Sequence, residues 1–169
     1  DKLNLGIKIL NVKDHGEGGD FYSAGKTRGC GGSGLMRDGK LFVSKNFRGS
    51  RVLSRGPIRL VFELTYEPWD VGGVKVSETK RVTLDAGSNF NRFESVYRTE
   101  SGAPLPEGVL WATGVKKEKT ANLRPDAKQG LVRSWQELTA YAKDGWMGCA
   151  LLVDPARAVA TPELDGNVL

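Results

Sequence analysis

The stretch IRLVFELTYEPWDVGGVKVSETKRVTLD, residues 58–85, decides the fold that we predict for this chain. In residues 58–66, apolar side chains at every second position alternate with polar ones, among them Glu63, and this period is typical of a strand with two different faces. Gly72-Gly73 then turns the chain into a second strand-like run, residues 74–85. The stretch therefore predicts an antiparallel hairpin.

Short runs of similar composition continue on both sides of this hairpin. They are residues 3–12, 41–45, 51–54, 90–97, 109–116, 131–141 and 149–153. The run 134–143 also fits a helix, but Gly130 and Gly145 bracket it like a strand pair. Residues 102–108 and 122–130 contain proline and are predicted to be polar loops. Many short strands with turn signals between them predict an all-β fold, an antiparallel β-sandwich, with residues 1–169 in a single domain.

Composition limits the partners that we expect. The chain has 169 residues and a net charge of +5 at pH 7, and its lysines and arginines are spread along the sequence instead of forming a basic block. This pattern favours a small anion or a sugar acid over nucleic acid. No apolar run has the length of a membrane span, and no signal peptide is seen. Because the chain starts at Asp1 without a methionine and stops as an apolar run resumes, we expect a segment of a larger protein, of unknown oligomeric state.

A glycine-rich stretch, residues 14–34, is where we expect the chemistry. It reads DHGEGGDFYSAGKTRGCGGSG and contains His15, the single histidine. Glycine permits tight turns and close approach of a ligand, so the stretch is predicted to form a pocket wall; a flexible surface loop is the alternative. His15 can act as a base or an acid near neutral pH, with Tyr22, Lys26 and Arg28 nearby, or it can be a structural histidine bonded to the loop backbone.

Metal and nucleotide sites have weaker support in this stretch. Its donors at Asp14, His15, Glu17 and Asp20 can hold a divalent cation, although acidic residues in loops often only solvate the loop. We therefore predict no cofactor and leave a divalent cation open. A phosphate loop is rejected because Asp20 stands where its first glycine is required.

Two cysteines leave another alternative open. Cys30 and Cys149 either form a disulfide or stay separate small hydrophobic residues, and their spacing does not suggest zinc.

Several residues outside the glycine-rich stretch are candidates for binding. Glu78 and Lys80 share a strand face with valines, so they either pair with each other's neighbours, line a cleft, or lie at a solvated end of the sheet. Among the four tryptophans, Trp69 in its proline-containing turn is the candidate platform for a sugar ring, whereas Trp111 and Trp135 are predicted to be core.

Three segments together carry a family resemblance. They are DHGEGGDFYSAGKTRGCGG, GPIRLVFELTYEPWDV and ETKRVTLDAGSNFNRFE. Over residues 5–155 the chain resembles a bacterial family of uncharacterised proteins encoded in gene clusters for the breakdown of acidic plant and algal polysaccharides. The resemblance implies a mutarotase-like β-supersandwich in a secreted or periplasmic protein. One relative is assigned as a dehydratase of ulvan oligosaccharides, and family members are usually longer than this chain.

The resemblance implies removal of water from a uronate-containing oligosaccharide. Such an elimination needs a base, an acid and a cation that neutralises the sugar carboxylate. His15 and Tyr22 would be base and acid, or the reverse. Arg28 or Arg92 would bind the carboxylate in a bidentate way, with Lys26 as a point-charge substitute. The substrate-binding candidates are Lys26, Trp69, Glu78, Lys80 and Glu94.

Two other functions remain open at this point. An aldose-epimerase-like enzyme would transfer a proton without losing water. A non-catalytic carbohydrate-binding module would use Trp69 and the arginines as platform and clamp.

Overall fold

The computed structural model describes residues 22, 24–117, 122–137, 145–158, 163–164 and 166–168. In these residues the secondary structure is β-strand, apart from one turn of 3-10 helix at Pro155–Arg157. The strands are β1 (Cys30–Arg37), β2 (Lys40–Phe42), β3 (Gly49–Arg55), β4 (Arg59–Thr65), β5 (Trp69–Asp70), β6 (Lys75–Asp85), β7 (Asn91–Thr99), β8 (Leu110–Lys116), β9 (Asn122–Asp126), β10 (Leu131–Glu137), β11 (Trp146–Leu152), β12 (Glu163–Leu164) and β13 (Asn167–Val168). The predicted all-β fold with antiparallel sheets is confirmed, and these sheets are consistent with a β-sandwich.

The chain forms two compact units. Residues 34–112 form the central unit, and the described residues of 22–33 and 113–168 form the terminal unit. Strands β1 and β8 each contribute residues to both units. Each unit has its own buried apolar cluster.

The central unit is built on the predicted hairpin. Strands β4 and β6 pair antiparallel, with Phe62 opposite Val82, and the sheet order is β3-β4-β6-β5 with β7 also paired to β6. The connection between β4 and β6 contains the short strand β5, where the sequence predicts a proline-containing turn at Trp69. The core consists of Leu35, Val71 and Val76, which are fully buried.

A second hairpin in the central unit joins β1 to β2. Arg37 lies opposite Lys40, and the two residues between them, Asp38 and Gly39, have φ of 50° and 73°. Positive φ at both positions matches the type I′ turn, whose twist suits antiparallel strands and for which Asp-Gly is a preferred sequence. The prediction of a glycine-rich loop through residue 34 is therefore wrong from Cys30 onward, where β1 begins.

The terminal unit contains a three-stranded sheet in the order β11-β10-β9. Along β10, Val132, Ser134 and Gln136 are buried, while Arg133 and Trp135 between them are exposed. Leu123, Cys149 and Leu151 pack on the inner side against Val115 and Val132. One face of this sheet is therefore core and the other faces solvent.

The structure corrects the predicted loop at residues 122–130 of the terminal unit. Residues 122–130 were predicted to be a loop, but residues 122–126 form β9. Pro125 is tolerated there because β9 is an edge strand, where a missing N–H breaks no ladder. The run 131–141 is strand through Glu137, and the predicted strand at residues 3–12 lies outside the described residues.

Candidate functional site

A row of alternating charges crosses the central sheet. In register, Arg51 of β3 lies opposite Glu63 of β4, Glu63 opposite Arg81 of β6, and Arg81 opposite Glu94 of β7. We call these four residues, with Arg92 beside Glu94, the charged face. Cross-strand neighbours of opposite charge stabilise a sheet, so the row is locally favourable.

Glu63 is the centre of the charged face. Its carboxylate is buried and accepts hydrogen bonds from Arg51 Nη2 at 2.8 Å and from Arg81 Nε and Nη2 at 3.2 and 2.8 Å. The hydrogen bonds from Arg51 and Arg81 lower the pKa of Glu63 below its ordinary value, against the opposing effect of burial. Two arginines on one carboxylate leave a net positive charge beside it.

A cavity of about 460 Å³ opens next to Glu63. Its lining combines the Arg51–Glu63 pair with small and hydroxyl-bearing residues: Gly49, Ser50, Arg51, Glu63, Thr65 and Thr79. Such a lining offers hydrogen-bond donors and acceptors from Ser, Thr, Arg and Glu side chains, which suit a hydroxyl-rich or anionic ligand.

The Glu63 contacts predict how stability depends on pH. A carboxylate whose folded-state pKa is lowered stabilises the fold above its unfolded-state pKa, and this contribution is lost as pH falls through the folded-state pKa. As the pH is lowered below 4.5, the ordinary pKa of a glutamate carboxyl, we expect the urea concentration at the unfolding midpoint of the wild type to decrease. Over the same pH range the midpoint of Glu63→Gln should decrease less. At neutral pH the variant should melt several degrees lower. The exposed Glu94→Gln variant is the control, and an identical acid dependence in Glu63→Gln and the wild type would contradict the assignment.

Arg92 and Glu94, two of the predicted site residues, lie together on the charged face. Arg92 Nη2 donates to Glu94 Oε1 at 2.9 Å, and both side chains are exposed. The structure therefore places this arginine where a ligand carboxylate can compete for it.

Glu78 and Lys80 lie on the opposite face of the same sheet, in a buried polar cluster. Lys80 Nζ is 3.4 Å from Glu78 Oε1, and the two side chains are 15% and 3% exposed. Ser95 Oγ donates to the same oxygen at 2.6 Å, and the ammonium lies 5.4 Å from the centroid of the Tyr66 ring. Burial and the negative charge of Glu78 raise the pKa of Tyr66. Of the alternatives left open by the sequence, pairing is the one observed.

Trp69 is half-buried and contributes to the central core. Its ring meets the edge of Tyr97 at a centroid distance of 6.2 Å and an angle of 73°, and it packs against the cluster of Leu35, Val71 and Val76. Its role as a sugar platform stays a prediction. The expectation that Trp111 and Trp135 are core is wrong, because they are 48% and 53% exposed.

The outer side of the three-stranded sheet in the terminal unit carries two stacked tryptophans. The rings of Trp135 and Trp146 are nearly parallel, with an interplanar angle of 8° and centroids 6.3 Å apart, and Trp146 is 57% exposed. Gly148 lies opposite Trp135 in register, and a Cβ there would approach the indole to 2.9 Å. The indole therefore rests against bare backbone, which only glycine provides at this position.

Two arginines lie beside the tryptophans on the same surface. Arg133 of β10 is directly opposite Arg124 of β9, and both are exposed. Arg124 Nε donates to Asn122 Oδ1 at 3.0 Å, and neither guanidinium has a carboxylate partner within the described residues. We call Trp135, Trp146, Arg124 and Arg133 the tryptophan–arginine face. Like charges opposite each other destabilise a sheet, so an anion bound between the arginines would relieve the repulsion.

Sequence reasoning missed this face, although a signal was present. Trp135 lies on the same face of its strand as Arg133 and Glu137, because the three are two residues apart. Val132 lies on the opposite face. When one face of a strand packs on the core, a tryptophan on the same face as the charged residues faces solvent.

Except for Gly34, the described residues of the glycine-rich stretch lie in the terminal unit. Tyr22 is half-buried, and its side chain lowers the pKa of the neighbouring Cys149 thiol. Lys26 is exposed, and the Arg28 backbone N–H donates to the side chain of Asn167 at 2.8 Å. His15 and the other predicted metal donors, Asp14, Glu17 and Asp20, lie outside the described residues.

Next to Tyr22, the two cysteines contact each other. Both are thiols, and a hydrogen bond joins their side chains. This hydrogen bond lowers the pKa of Cys30 from 9.0 to about 7, while Cys30 and burial raise the pKa of Cys149. Cys30 is therefore the reactive thiol of the two.

The lowered pKa predicts an unusual pH dependence of alkylation. Iodoacetamide reacts with the thiolate, which forms as pH rises through the pKa, so the rate at Cys30 should rise with a midpoint of about 7. Cys149→Ala removes the hydrogen bond and should move the midpoint up towards 9.0. The rates are measured by mass spectrometry of samples quenched at timed intervals. A wild-type midpoint near pH 9.0 would contradict the contact between Cys30 and Cys149.

Among the residues that the structure describes, no three His, Cys, Asp or Glu side chains are grouped closely enough to hold a metal ion. The same residues include no helix that is long and apolar enough to span a membrane.

Comparison with known proteins places most of the chain in one sequence family. The profile of a domain of unknown function (DUF4861) matches residues 10–169. The chain is also 46% identical over 81 residues to "Uncharacterized protein P7" of Formosa agariphila. That match covers 48% of this chain and 20% of the relative, so the chain spans only a small part of that protein. No solved structure gives a significant match.

Proposed function

The chain belongs to the family of the domain of unknown function DUF4861, and on that premise we propose that it acts on acidic, uronate-containing oligosaccharides, by dehydration. The observation that carries this proposal is the tryptophan–arginine face. It combines exposed parallel indoles with two arginines that have no carboxylate partner in the described part of the chain.

The indoles supply the contact with sugar rings. A pyranose presents a face of C–H bonds, and an exposed indole offers a flat apolar surface of matching size. The positions of Trp135 and Trp146 are fixed by two paired strands and by contact with Gly148, so little side-chain freedom is lost on binding.

The arginines would select a sugar that carries a carboxylate. A guanidinium binds a carboxylate through two parallel hydrogen bonds, and Arg124 and Arg133 lie across from each other two residue pairs away from Trp135, on the same face. A uronate stacked on the indoles has its carboxylate within this positive region. The charged face, with its cavity at Glu63, is a second surface with arginines that can bind a carboxylate, and it lies in the central unit.

The proposed reaction is an elimination. A base takes the proton from the carbon next to the sugar carboxylate, the electron pair forms a carbon–carbon double bond, and the C–O bond at the neighbouring carbon breaks. The leaving hydroxyl takes a proton from the acid and departs as water. We propose His15 and Tyr22 as base and acid, in either order, and Arg28 of the same unit as the cation that stabilises the negative charge on the carboxylate. A mutarotase-like supersandwich and a periplasmic or secreted location belong to the same proposal.

Incubation with saturated uronate-ended oligosaccharides tests the reaction. Dehydration predicts a rise in absorbance from a conjugated double bond and a product lighter by one water. A product of unchanged mass would instead indicate epimerisation. His15→Ala with unchanged turnover would remove the proposed base.

A non-catalytic binding module is the second candidate, and one observation favours it. The tryptophan–arginine face contains no group that exchanges a proton near neutral pH. Binding that survives in His15→Ala and Tyr22→Phe, with no product formed by the wild type, would support this alternative.

A further inference from the structure

The two cysteines of the terminal unit contact each other although they are far apart in the sequence. Cys30 is the first residue of β1, and Cys149 lies near the middle of β11, opposite Ser134 of β10. The Cys30 Sγ atom is 3.9 Å from the carbonyl oxygen of Ala150, the residue after Cys149. The strands are therefore in contact at the position of the thiols.

The neighbouring residues confirm this close approach. A Cβ built on Gly31, the residue after Cys30, would lie 3.8 Å from Leu151 Cδ1, so β1 also lies close to β11 one residue further along. Leu151 and Cys149 pack together against Val115 and Val132. The Cys149 thiol is thus held in position by a packed sheet, with Cys30 on its solvent side.

We propose that Cys30 and Cys149 form a reversible disulfide that fastens β1 to β11. The inference is independent of the proposed function, because it concerns only the thiols and the strands that carry them. Cys30 Sγ already lies 3.9 Å from the carbonyl oxygen of the residue after Cys149, and bond formation needs a further approach that side-chain rotation can supply.

The chemistry is thiol–disulfide exchange with a small disulfide such as oxidised glutathione as oxidant. The exposed Cys30 thiolate attacks one sulfur of the oxidant, forms a mixed disulfide and expels one glutathione thiolate. Cys149 then loses its proton and attacks Cys30 Sγ, and the second glutathione leaves and takes up the proton. Two protein thiols are oxidised by two electrons, and the oxidant is reduced to two thiols.

The surroundings favour this order of attack. Cys30 is the more accessible cysteine and has the lower pKa, so it reacts first. The raised pKa of Cys149 is caused first of all by Cys30, and conversion of Cys30 to a mixed disulfide removes its negative charge. The neighbouring Tyr22 side chain lowers the pKa of Cys149, which favours its thiolate in the second step.

The test is incubation of the full chain with oxidised glutathione at neutral pH, followed by intact-mass and non-reducing peptide analysis. We expect a mass lower by two hydrogen atoms, loss of both titratable thiols, and one cross-linked pair of peptides from β1 and β11. The oxidised protein should melt several degrees above the reduced protein, because a bond that closes a long loop restricts the unfolded chain. Stable glutathione adducts on both cysteines, or two thiols that remain titratable, would overturn the proposal.

Single variants separate the two steps. Cys149→Ser should stop at a glutathione adduct on Cys30, which dithiothreitol removes. Cys30→Ser should leave Cys149 largely unmodified, since it is the less accessible thiol. Fast modification of Cys149 in Cys30→Ser would contradict the order of attack. Binding of oligosaccharide plays no part in any of these results.

Discussion

The Glu78→Ala variant is expected to unfold with a free energy lower by about 3 kcal/mol than that of the wild type. Glu78 is buried beside the Lys80 ammonium and accepts a hydrogen bond from Ser95. Removal of the carboxylate leaves the ammonium in the same low-dielectric surroundings without this charge partner, and the desolvation of the cation is no longer compensated. Urea denaturation followed by fluorescence measures the change.

Two further variants identify the cause of this loss. Glu78→Gln retains an acceptor for Ser95 but removes the charge, so it should lose most of the same stability. The double variant Glu78→Leu with Lys80→Met removes both charges and should recover much of it, because apolar side chains of similar size can replace a buried ion pair. If the double variant is less stable than Glu78→Ala, packing and not charge is the main contribution of the pair.

The Trp135→Ala variant is expected to bind an oligouronate at least about fivefold more weakly than the wild type, because stacking of a flat ring such as a nucleobase on an aromatic side chain contributes about 1–3 kcal/mol. Trp135 is more than half exposed and rests on Gly148, so its removal should leave the fold intact. Isothermal titration calorimetry measures the affinity, and circular dichroism checks the fold.

The matched control for Trp135 is Trp111→Ala. Trp111 has a similar exposed fraction but lies in the central unit, outside the tryptophan–arginine face. We expect it to retain wild-type affinity. Equal losses in the two variants would mean that exposed indoles contribute without regard to position, and the face would not be the site.

The fold could be predicted from sequence wherever the alternation of apolar and polar residues and the positions of turn residues indicated the same strand pairing. The hairpin of β4 and β6 is an example, because the apolar period of two in residues 58–66 and the glycines at 72 and 73 point to the same pairing. Strand β9 was missed because Pro125 and its polar neighbours have the composition of a loop. Only its place at a sheet edge, which is a tertiary property, makes a strand there acceptable.

Predictions about individual side chains were less successful, for a related reason. Burial of a tryptophan depends on which face of its strand meets the core, and composition alone does not reveal the face. Trp135 was expected to be buried because it lies in a strand-like run, yet Ser134 and Gln136 are the buried polar residues beside it. The pairing of Glu78 with Lys80 was within reach of the sequence, since residues two apart on a strand share a face.

The central claim is that the tryptophan–arginine face selects an acidic sugar. The most direct measurement titrates a short oligoglucuronate, and the same oligosaccharide with its carboxylates reduced to hydroxymethyl groups, into the wild type and into Arg124→Gln with Arg133→Gln. The account predicts that the wild type binds the acid at least about tenfold more tightly than the reduced sugar, since hydrogen bonds to charged groups contribute roughly 1.5–3 kcal/mol. It predicts that the double variant binds both sugars equally weakly. Equal affinity of the wild type for both sugars, or full discrimination by the double variant, would contradict it.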